Sequence, residues 1–347
     1  MLLHNLISPL GFPLLPQLLA FVGFPKMNHV FFVFSPFHMA LTNKIIESRE
    51  ISNYIVILCH EGDDKSISYA QSLFVKDRIT ILKINKRFGV LCLLNRIYRL
   101  SKNLGKEDLV VHTASPKSLW FRFFFSNLAG CASFNVMDDG VGVLDMGGYF
   151  SKPDSLMKTI LLRLLLVNDN YLKFLEKIDV YYAFYGSESI FDRFCSRKVM
   201  VKPLFISEAD SREGNKLENF EFDPIRIFLT GPFSERGFTS KNVEMQLYEK
   251  VVKRFGIHFL IKHPSESAEK YRDRSFSFLE TRLYAEQVIE LLSKDRRVEL
   301  YSFSSSVLVN LNGAYNVKVY CLDCSSIPAM SVHKALNISI LRLENED

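Results

Sequence analysis

Three short motifs in this chain of 347 residues combine carboxylates, an imidazole and hydroxyls. They are Asp138-Asp139-Gly140, His263-Pro264 and the run Ser304-Ser305-Ser306. A carboxylate can accept a proton, an imidazole can donate one near neutral pH, and serine hydroxyls with free backbone N–H groups can bind phosphate. Together these groups predict acid and base chemistry on a substrate that carries a phosphate.

The acidic motif follows the apolar run 134–137, so both carboxylates are expected at the carboxyl end of a strand. Adjacent side chains on an extended chain point to opposite sides, and only one of Asp138 and Asp139 can therefore face a given substrate. We expect one to act as the base and the other to bond to backbone or to a neighbouring cation. Gly140 permits a tight turn or the close approach of a ligand, and an ordinary Asp-Gly turn is the alternative interpretation.

His263 follows the predicted strand 257–262, and Pro264 favours an extended backbone at the histidine. We expect its imidazole to donate a proton or a hydrogen bond to a leaving phosphate. The serine run lies between a strand ending at Tyr301 and a helix beginning near Val307, where N–H groups meet a phosphate readily. A solvated histidine and an ordinary serine N-cap are the alternatives.

The elements that position these motifs alternate between strands and helices. Runs rich in β-branched and aromatic residues predict strands at 29–34, 54–59, 79–84, 108–112, 132–137, 178–184, 225–230, 257–262, 298–301 and 317–322. Helices are predicted at 37–49, 64–74, 88–104, 117–129, 156–174, 241–255, 282–293 and 307–312. This alternation predicts an α/β fold with two Rossmann-like domains facing a cleft, the GT-B arrangement.

Changes in composition divide the chain into four segments. We predict an apolar extension at 1–26, an N-terminal Rossmann-like domain at 27–206, a polar linker at 207–224 and a C-terminal Rossmann-like domain at 225–347. The four prolines of the extension argue against a spanning helix, and we expect Met27 to be the natural start of the chain. A membrane-surface anchor is the alternative role for the extension.

Overall composition limits the class of protein. With 48% hydrophobic and 23% charged residues the chain is globular, and a net charge of +5 makes nucleic acid a poor candidate for a partner. Six cysteines spread along so long a chain indicate a reducing compartment, and we expect a cytoplasmic protein. Cys321 and Cys324 have the spacing of zinc ligands but lack a second pair, so no metal site is assigned.

In order and spacing, the three motifs resemble those of bacterial sialyltransferases, which carry Asp/Glu-Asp-Gly, His-Pro and Ser-Ser motifs. The segment 34–38, with Ser35-Pro36, is similar to the Ser/Thr-Pro-Leu-Gln opening of glycosyltransferase family 52. The segment 228–237, FLTGPFSERG, is similar to that family's Leu-Thr-Gln-Pro-Leu-Ser-Glu-Asp segment. The chain departs from the pattern at Phe37-His38 in place of Leu-Gln, Gly231 in place of Gln and Arg236 in place of an acid.

The resemblance implies an inverting enzyme that moves sialic acid from CMP-sialic acid to a galactose-terminated glycan of lipooligosaccharide or capsule. It implies His263 as the group that assists the leaving phosphate, and it leaves the base open among Asp138, Asp139 and Glu235. Residues implied in binding the CMP donor are Thr230, Gly231, His263, Pro264, Ser304, Ser305 and Ser306. Those implied on the acceptor side are Ser35, Pro36 and Gly140.

The same resemblance implies no metal and no cofactor, because CMP carries a single phosphate and the chain lacks an Asp-x-Asp motif. Relatives of this kind suggest a homodimer. Basic residues around the helix at 88–104, or the segment 156–174, suggest peripheral contact with the inner face of the bacterial inner membrane, and an ordinary solvated helix face packed on the sheet is the alternative interpretation. Two alternatives stay open, namely a GT-B glycosyltransferase that uses another sugar nucleotide and a non-catalytic glycan-assembly protein on the same fold.

Overall fold

The computed structural model describes most of the chain beyond the extension. The residues described are 29–60, 64–83, 90–105, 109–128, 133–144, 148–167, 169–202, 205, 222–263, 265–272, 274–281, 283–327 and 336–343. The extension 1–26, most of the predicted linker and Pro264 lie outside these residues, so the predictions made for them stay predictions.

The first sheet is entirely parallel. Its strands are β1 (His29–Val33), β2 (Tyr54–His60), β3 (Ile79–Lys83), β4 (Val110–Thr113), β5 (Phe134–Met137), β6 (Ile178–Ala183) and β7 (Arg197–Met200). They are ordered β3-β2-β1-β4-β5-β6-β7. Strands β2 and β3 are added on one side of β1 and strands β4 to β7 on the other, so the strand order reverses between β1 and β4. Ligands bind in such sheets at the carboxyl ends of the strands that flank this point.

Helices cover the faces of this sheet. They are α1 (Pro36–Ser48), α2 (Asp64–Leu73), α3 (Val90–Leu104), α4 (Leu119–Ser126), α5 (Leu156–Leu164) and α6 (Tyr171–Leu175), with a 3-10 turn at Gly140–Val143. The start of α1 is well defined, because the Ser35 hydroxyl accepts the His38 N–H at 3.3 Å and Pro36 occupies the first helical turn.

The prediction of a single helix over 156–174 is wrong. The segment forms α5 and α6, because the chain leaves the helical path at Leu166, whose φ is 61°. The last turn of α5 closes with a hydrogen bond from Val167 N–H to Leu162 O at 2.9 Å, and α6 restarts at the N-cap Asn170, whose side chain accepts the Lys173 N–H at 2.9 Å. Through the residues described, no helix is both long and apolar enough to span a membrane.

The second sheet is also parallel. Its strands are β8 (Ile225–Leu229), β9 (Phe259–Ile261), β10 (Val298–Ser302), β11 (Val317–Asp323) and β12 (Ser339–Arg342), in the order β12-β11-β10-β8-β9. Its helices are α7 (Lys241–Phe255), α8 (Ala285–Ser293) and α9 (Ser306–Asn310). Crossover reverses between β8 and β10, so the loops after these two strands flank the expected ligand crevice of this lobe.

The two lobes contact one another through α2 and α8. The Ser66 hydroxyl lies 2.9 Å from Tyr284 OH, and the Lys65 ammonium lies 4.6 Å from the centre of the Tyr284 ring. One hydrophobic cluster includes buried side chains from both sheets. The structure therefore confirms the predicted α/β fold with two parallel sheets. Among the strands described, the sequence did not predict β7 and β12, which pair on one side only.

Candidate functional site

The carboxyl ends of five strands carry the predicted site residues. Ser35-Pro36 follow β1 and the acidic motif follows β5, while Thr230-Gly231, His263 and the serine run follow β8, β9 and β10. The two reversal points of the sheets lie beside β1 and between β8 and β10. The sequence motifs therefore lie where parallel sheets of this kind bind ligands.

Asp138 is turned into the protein. Its carboxylate is fully buried and accepts hydrogen bonds from the Tyr181 hydroxyl, the Phe184 N–H and, at 3.1 Å, the Tyr185 N–H. Burial raises the pKa of this carboxyl to about 7, against the opposing effect of the three donors. Asp138 thus fixes the loop after β6 to the end of β5 and presents no oxygen to solvent.

Asp139 points the other way, toward α1. Its side chain is 25% exposed, and its Oδ1 lies 2.6 Å from Nε2 of the buried His38. His38 Nδ1 accepts the Phe34 N–H at 3.2 Å, so a neutral ring carries its proton on Nε2 and donates it to Asp139. Of the two adjacent acids, Asp139 is the one whose carboxylate can receive a proton from a bound molecule.

Sequence reasoning gave His38 no role, although it noted that a histidine replaces the family's glutamine here. Ser35 and Pro36, which were expected to bind substrate, make their described contacts at the start of α1. Their contribution in the structure is to begin the helix that holds His38 against Asp139. His38 could have been identified from the sequence, because the imidazole stands where the family has a glutamine amide. Both groups can donate a hydrogen bond to a carboxylate.

His263 is half-buried and held through its backbone and one ring nitrogen. Its N–H donates to Glu266 Oε2 at 2.8 Å, and its Nδ1 accepts the Ser265 N–H at 3.0 Å. A neutral ring therefore carries its proton on Nε2, which makes no hydrogen bond with any residue the structure describes. Burial, and secondarily the positive charge of Arg236, lower the pKa of His263.

A buried ion cluster supports the loops after β8 and β9. The Lys270 ammonium lies 2.6 Å from Glu244 Oε1, 2.7 Å from Glu266 Oε1 and 3.1 Å from Glu235 Oε2. Burial alone would lower the pKa of Lys270, but hydrogen bonds to Glu244 and Glu266 raise it. Sequence reasoning missed this lysine, since nothing in a polar segment marks which cation is buried.

Glu235, the third candidate base, belongs to the rim of this cluster. Besides Lys270, it accepts the Ser267 N–H at 3.2 Å and contacts the Ser234 hydroxyl at 3.2 Å. Partial burial would raise the pKa of Glu235, yet its backbone and Lys270 hydrogen bonds outweigh burial and lower it. A carboxylate so held is a weaker proton acceptor than a carboxylate with an open oxygen.

Gly231 and Phe233 depart from the family pattern together. A Cβ atom added at Gly231 would lie 2.7 Å from the Phe233 ring, closer than a real contact allows. The ring is buried and meets Phe303 edge-on at 6.0 Å, which leaves it little freedom to move. Where the family has glutamine and leucine, this chain therefore has a glycine that makes room for a phenylalanine. Beside them, Thr230 donates its hydroxyl to Glu266.

The serine run begins the short helix α9. Ser305 is its N-cap and accepts the Val307 N–H at 3.2 Å, while Ser304 and Ser306 are partly or fully exposed. The 3-10 turn Gly140–Val143 and α9 approach within 8 Å, Cα to Cα. The turn that begins at Gly140 and the helix that begins at Ser306 therefore approach each other across the two lobes.

Tyr185 connects the two motifs directly. Its backbone N–H donates to Asp138, and its hydroxyl donates to Asn310 Oδ1 at the end of α9, at 2.6 Å. Asn310 in turn donates to Glu286 Oε1 at 3.0 Å. A single buried tyrosine thus ties the acidic motif of the first lobe to the serine helix of the second. Within the described residues, no group of three His, Cys, Asp or Glu side chains is arranged to hold a metal ion.

Comparison with known proteins gives matches in sequence and in fold. The model of Glycosyltransferase family 52 matches residues 51–326. A protein of Pasteurella multocida (strain Pm70), described as CMP-N-acetylneuraminate:beta-galactoside alpha-2,3-sialyltransferase, is 24% identical over 296 residues, which cover 83% of this chain and 89% of that protein.

Two solved structures share the fold at low sequence identity. Arabidopsis thaliana UGT89C1, complexed with UDP, is 13% identical with a TM-score of 0.53, and the match covers 91% of this chain and 86% of that one. The UDP-GlcNAc 2-epimerase of Methanocaldococcus jannaschii is 12% identical with a TM-score of 0.53, over 91% of this chain and 89% of that one. These likenesses confirm the predicted GT-B arrangement.

Proposed function

The chain belongs to glycosyltransferase family 52, and we propose that it transfers sialic acid from CMP-sialic acid to a galactose-terminated glycan. The relative from Pasteurella multocida, named for this donor and for a β-galactoside acceptor, supports the assignment. We further propose that the acceptor belongs to lipooligosaccharide or capsule.

The observation that carries the proposal is that Tyr185 connects the two lobes through hydrogen bonds. A transfer reaction needs a base beside the acceptor and an acid beside the leaving group, both held on one substrate pair. Tyr185 bonds to Asp138 in one lobe and to Asn310 in the other. This contact supports a single site in which Asp139 serves the acceptor and the loops after β8, β9 and β10 serve the donor.

On the donor side, His263 is proposed to assist departure of CMP. Its lowered pKa keeps the ring neutral near pH 7, with the Nε2 proton free of described partners. The Nε2–H of this neutral ring can donate a hydrogen bond to the arriving phosphate and stabilise the negative charge that grows on it as CMP leaves. Hydroxyls and N–H groups of Ser304 and Ser306 would hold the phosphate, with Thr230 and Gly231 beside it.

On the acceptor side, Asp139 is proposed to take the proton from the attacking hydroxyl. His38 holds this carboxylate from behind by donating Nε2–H to Oδ1, which leaves Oδ2 for the acceptor. Attack on one face of the sugar while CMP leaves from the other inverts the anomeric carbon in one displacement. No metal is invoked, because one phosphate has less charge to neutralise than a diphosphate.

The test is a donor screen with the full chain and a β-galactoside acceptor, read by product mass and by release of CMP. We expect sialylated product from CMP-sialic acid, undiminished by EDTA. His263→Ala should lower kcat roughly 100-fold or more. His258→Ala is the matched control, since His258 stacks on Phe222 and bonds the Arg226 N–H, and it should retain activity.

Other outcomes of this screen contradict the proposal in distinct ways. Product from a UDP- or GDP-sugar alone would assign a different sugar nucleotide to the same fold. Nucleotide binding without turnover, for every donor and acceptor pair, would indicate a non-catalytic glycan-assembly protein. A fully active His263→Ala enzyme would remove His263 from the mechanism while leaving the family unchanged.

A further inference from the structure

The buried carboxylate of Glu266 holds the backbone of His263. Its Oε2 accepts the His263 N–H at 2.8 Å, and the Glu266 N–H donates to His263 O at 3.1 Å. These reciprocal hydrogen bonds join the two residues in a closed turn. Within that turn, the Ser265 N–H lies 3.0 Å from His263 Nδ1. The turn that Glu266 closes is therefore also the one that fixes the imidazole ring.

Three further donors occupy the Glu266 carboxylate. Oε2 also accepts the Thr230 hydroxyl, while Oε1 accepts the Lys270 ammonium at 2.7 Å and the Tyr271 hydroxyl at 2.6 Å. Thr230 follows β8, and the other two donors lie in the 3-10 turn Ala268–Tyr271. The two oxygens of a carboxylate accept about four hydrogen bonds, so the protein itself fills this acceptor. Glu266 thus connects the ends of β8 and β9 to the 3-10 turn.

Stability alone does not explain why this position carries a buried charge. Removing an ion pair from water costs free energy that the mutual attraction of the two charges only partly returns, and apolar residues of similar volume often stabilise a protein as well. What an ionised carboxylate does supply is short, directional hydrogen bonds, which are stronger than those of a neutral acceptor. Glu266 therefore fixes the backbone at His263 more firmly than an apolar or amide side chain could.

We propose that Glu266 is a positioning residue for His263. It holds the His263 backbone and, through the closed turn, the Nδ1 side of the ring, so that the Nε2–H stays directed to the leaving phosphate. Because the carboxylate contacts the N–H of His263 and not its imidazole, its effect on the reaction is one of placement. Misplacement of a reacting group by about 1 Å can cost about 100-fold in rate. This role rests on the proposed function, in which His263 assists departure of CMP.

Glu244 offers a matched comparison within the same ion cluster. Its carboxylate is equally buried and accepts the same Lys270 ammonium, at 2.6 Å. Its other donors are the Tyr248 hydroxyl and two N–H groups of the loop after β8, and His263 is not among the donors described around it. Glu244→Gln and Glu266→Gln therefore remove the same charge beside the same lysine. Only the second removes a hydrogen bond to His263.

The first test is nitrogen nuclear magnetic resonance of the full chain with isotopically labelled histidine, without substrate, at about pH 8, where imidazole is neutral. The His263 ring signals are identified by their absence from His263→Ala. In wild type we expect one protonated and one unprotonated ring nitrogen, because the Ser265 N–H selects the Nε2–H tautomer. In Glu266→Gln the two signals should move toward each other as both tautomers become populated. In Glu244→Gln they should keep their wild-type positions.

The second test is a double-mutant cycle on transfer from CMP-sialic acid. Glu266→Gln should lower kcat about 10- to 100-fold, while KM for CMP-sialic acid changes little. Added to His263→Ala, the same change should lower kcat less than about twofold, because its effect is made through the histidine that is already absent. A merely structural role would lower kcat equally in both backgrounds. Glu244→Gln should keep most of kcat.

Thr230→Val takes the place of Glu266→Gln if that variant does not fold, because it removes the hydroxyl that bonds both Glu266 and the His263 N–H. It should move the ring signals in the same direction. Wild-type ring signals in Glu266→Gln overturn the proposal, as do equal shifts in Glu244→Gln, an unchanged kcat or additive losses in the cycle. If no donor is turned over, the proposed function fails, and the ring signals still decide whether Glu266 positions His263.

Discussion

His38 Nε2 lies 2.6 Å from Asp139 Oδ1, and the other ring nitrogen of His38 is fixed by the Phe34 N–H at 3.2 Å. This contact distinguishes the environment of Asp139 from that of the neighbouring Asp138. Asp138 accepts hydrogen bonds from the hydroxyl of Tyr181 in β6 and from two N–H groups of the loop that follows, whereas Asp139 is held by His38 on one side and is 25% exposed. Two neighbouring residues of one type thus lie in different environments, one enclosed by donors and one partly exposed.

Asp139→Asn should abolish most transfer while leaving the fold intact. The amide cannot accept a proton, and loss of a general base lowers kcat roughly 100- to 10,000-fold. Asp138→Asn and Glu235→Gln, measured in the same assay, should each keep kcat within about tenfold of wild type, because both groups are already engaged by protein donors. A larger loss of kcat in Glu235→Gln than in Asp139→Asn would identify Glu235 as the base.

His38 should act as a positioning residue for that base. His38→Phe removes the hydrogen-bond donor to Asp139. We expect kcat to fall while KM for the sugar nucleotide stays near its wild-type value, because we propose that the sugar nucleotide binds in the other lobe. His38→Gln supplies an amide N–H in place of the ring N–H and should restore much of kcat. A variant in which KM rises and kcat is unchanged would show that His38 contributes to binding instead.

Asp138→Ala should destabilise the protein far more than Asp138→Asn. Alanine leaves the Phe184 and Tyr185 N–H groups and the Tyr181 hydroxyl without their acceptor, in a fully buried place. Buried donors left unpaired cost about 1–3 kcal/mol each, so we expect a loss of roughly 3 kcal/mol or more in the free energy of unfolding. Asparagine keeps one acceptor oxygen and nearly the same shape. Urea unfolding of both variants checks the difference.

The strands were predictable because most of them are buried on both faces and read as continuous apolar runs, as in Val30–Val33 of β1. The edge strands β7 and β12 were not, since RKVM and SILR are four residues long, largely exposed at both ends and half polar, with no continuous apolar run. The break between α5 and α6 was also invisible. It depends on a left-handed Leu166, which no proline or glycine announces.

The candidate site was predictable to the level of motifs at strand ends, because parallel strands bring their following loops to one edge. Contacts between distant segments were not predictable from one sequence. His38 meets Asp139, Tyr185 links Asp138 to Asn310, and Lys270 gathers three glutamates, and each contact depends on how loops pack after the sheets form. The family indicated by the motifs is confirmed, and the roles of individual residues remain predictions for the experiments above.

Gly231 and Phe233 should behave as a coupled pair. Gly231→Gln alone forces its Cβ against the buried Phe233 ring, which is 2.7 Å from where that Cβ would lie, and we expect a loss of about 1–3 kcal/mol in unfolding free energy from overpacking. Phe233→Leu alone leaves a cavity and should also destabilise. Gly231→Gln with Phe233→Leu restores the family's residues, and the double variant should lose less than the sum of the single losses. Additive losses would show that the two positions are independent.

Buried histidines should make the folded protein sensitive to acid. Burial, and secondarily the nearby His29, lower the pKa of His112 well below its usual value; its Nε2 lies 3.0 Å from His29 Nδ1. The unfolded chain takes up a proton near pH 6.5 while the folded chain does not, so this contribution to stability is complete above about pH 6.5 and is lost as pH falls.

The raised pKa of Asp138 changes stability with pH in the opposite direction. Its pKa is raised to about 7 in the folded protein, so the folded chain retains a proton that the unfolded chain releases above about pH 4, and the resulting stability is lost as pH rises through about 7.

Because the two effects oppose each other, the pH dependence of unfolding is compared between wild type and variants that each remove one of these groups. His112→Phe keeps a ring stacked on Phe31, whose centroid is 4.1 Å from that of His112.

Between pH 7 and pH 5, the unfolding free energy of His112→Phe should fall less than that of wild type, by up to about 1.4 kcal/mol per pH unit. Asp138→Asn should instead fall more steeply with acid than wild type, because it lacks the group whose protonation offsets the histidines. The unfolding free energies of all three proteins are measured by urea unfolding across this range. If they change with pH in parallel, neither group has a pKa that differs between the folded and unfolded states.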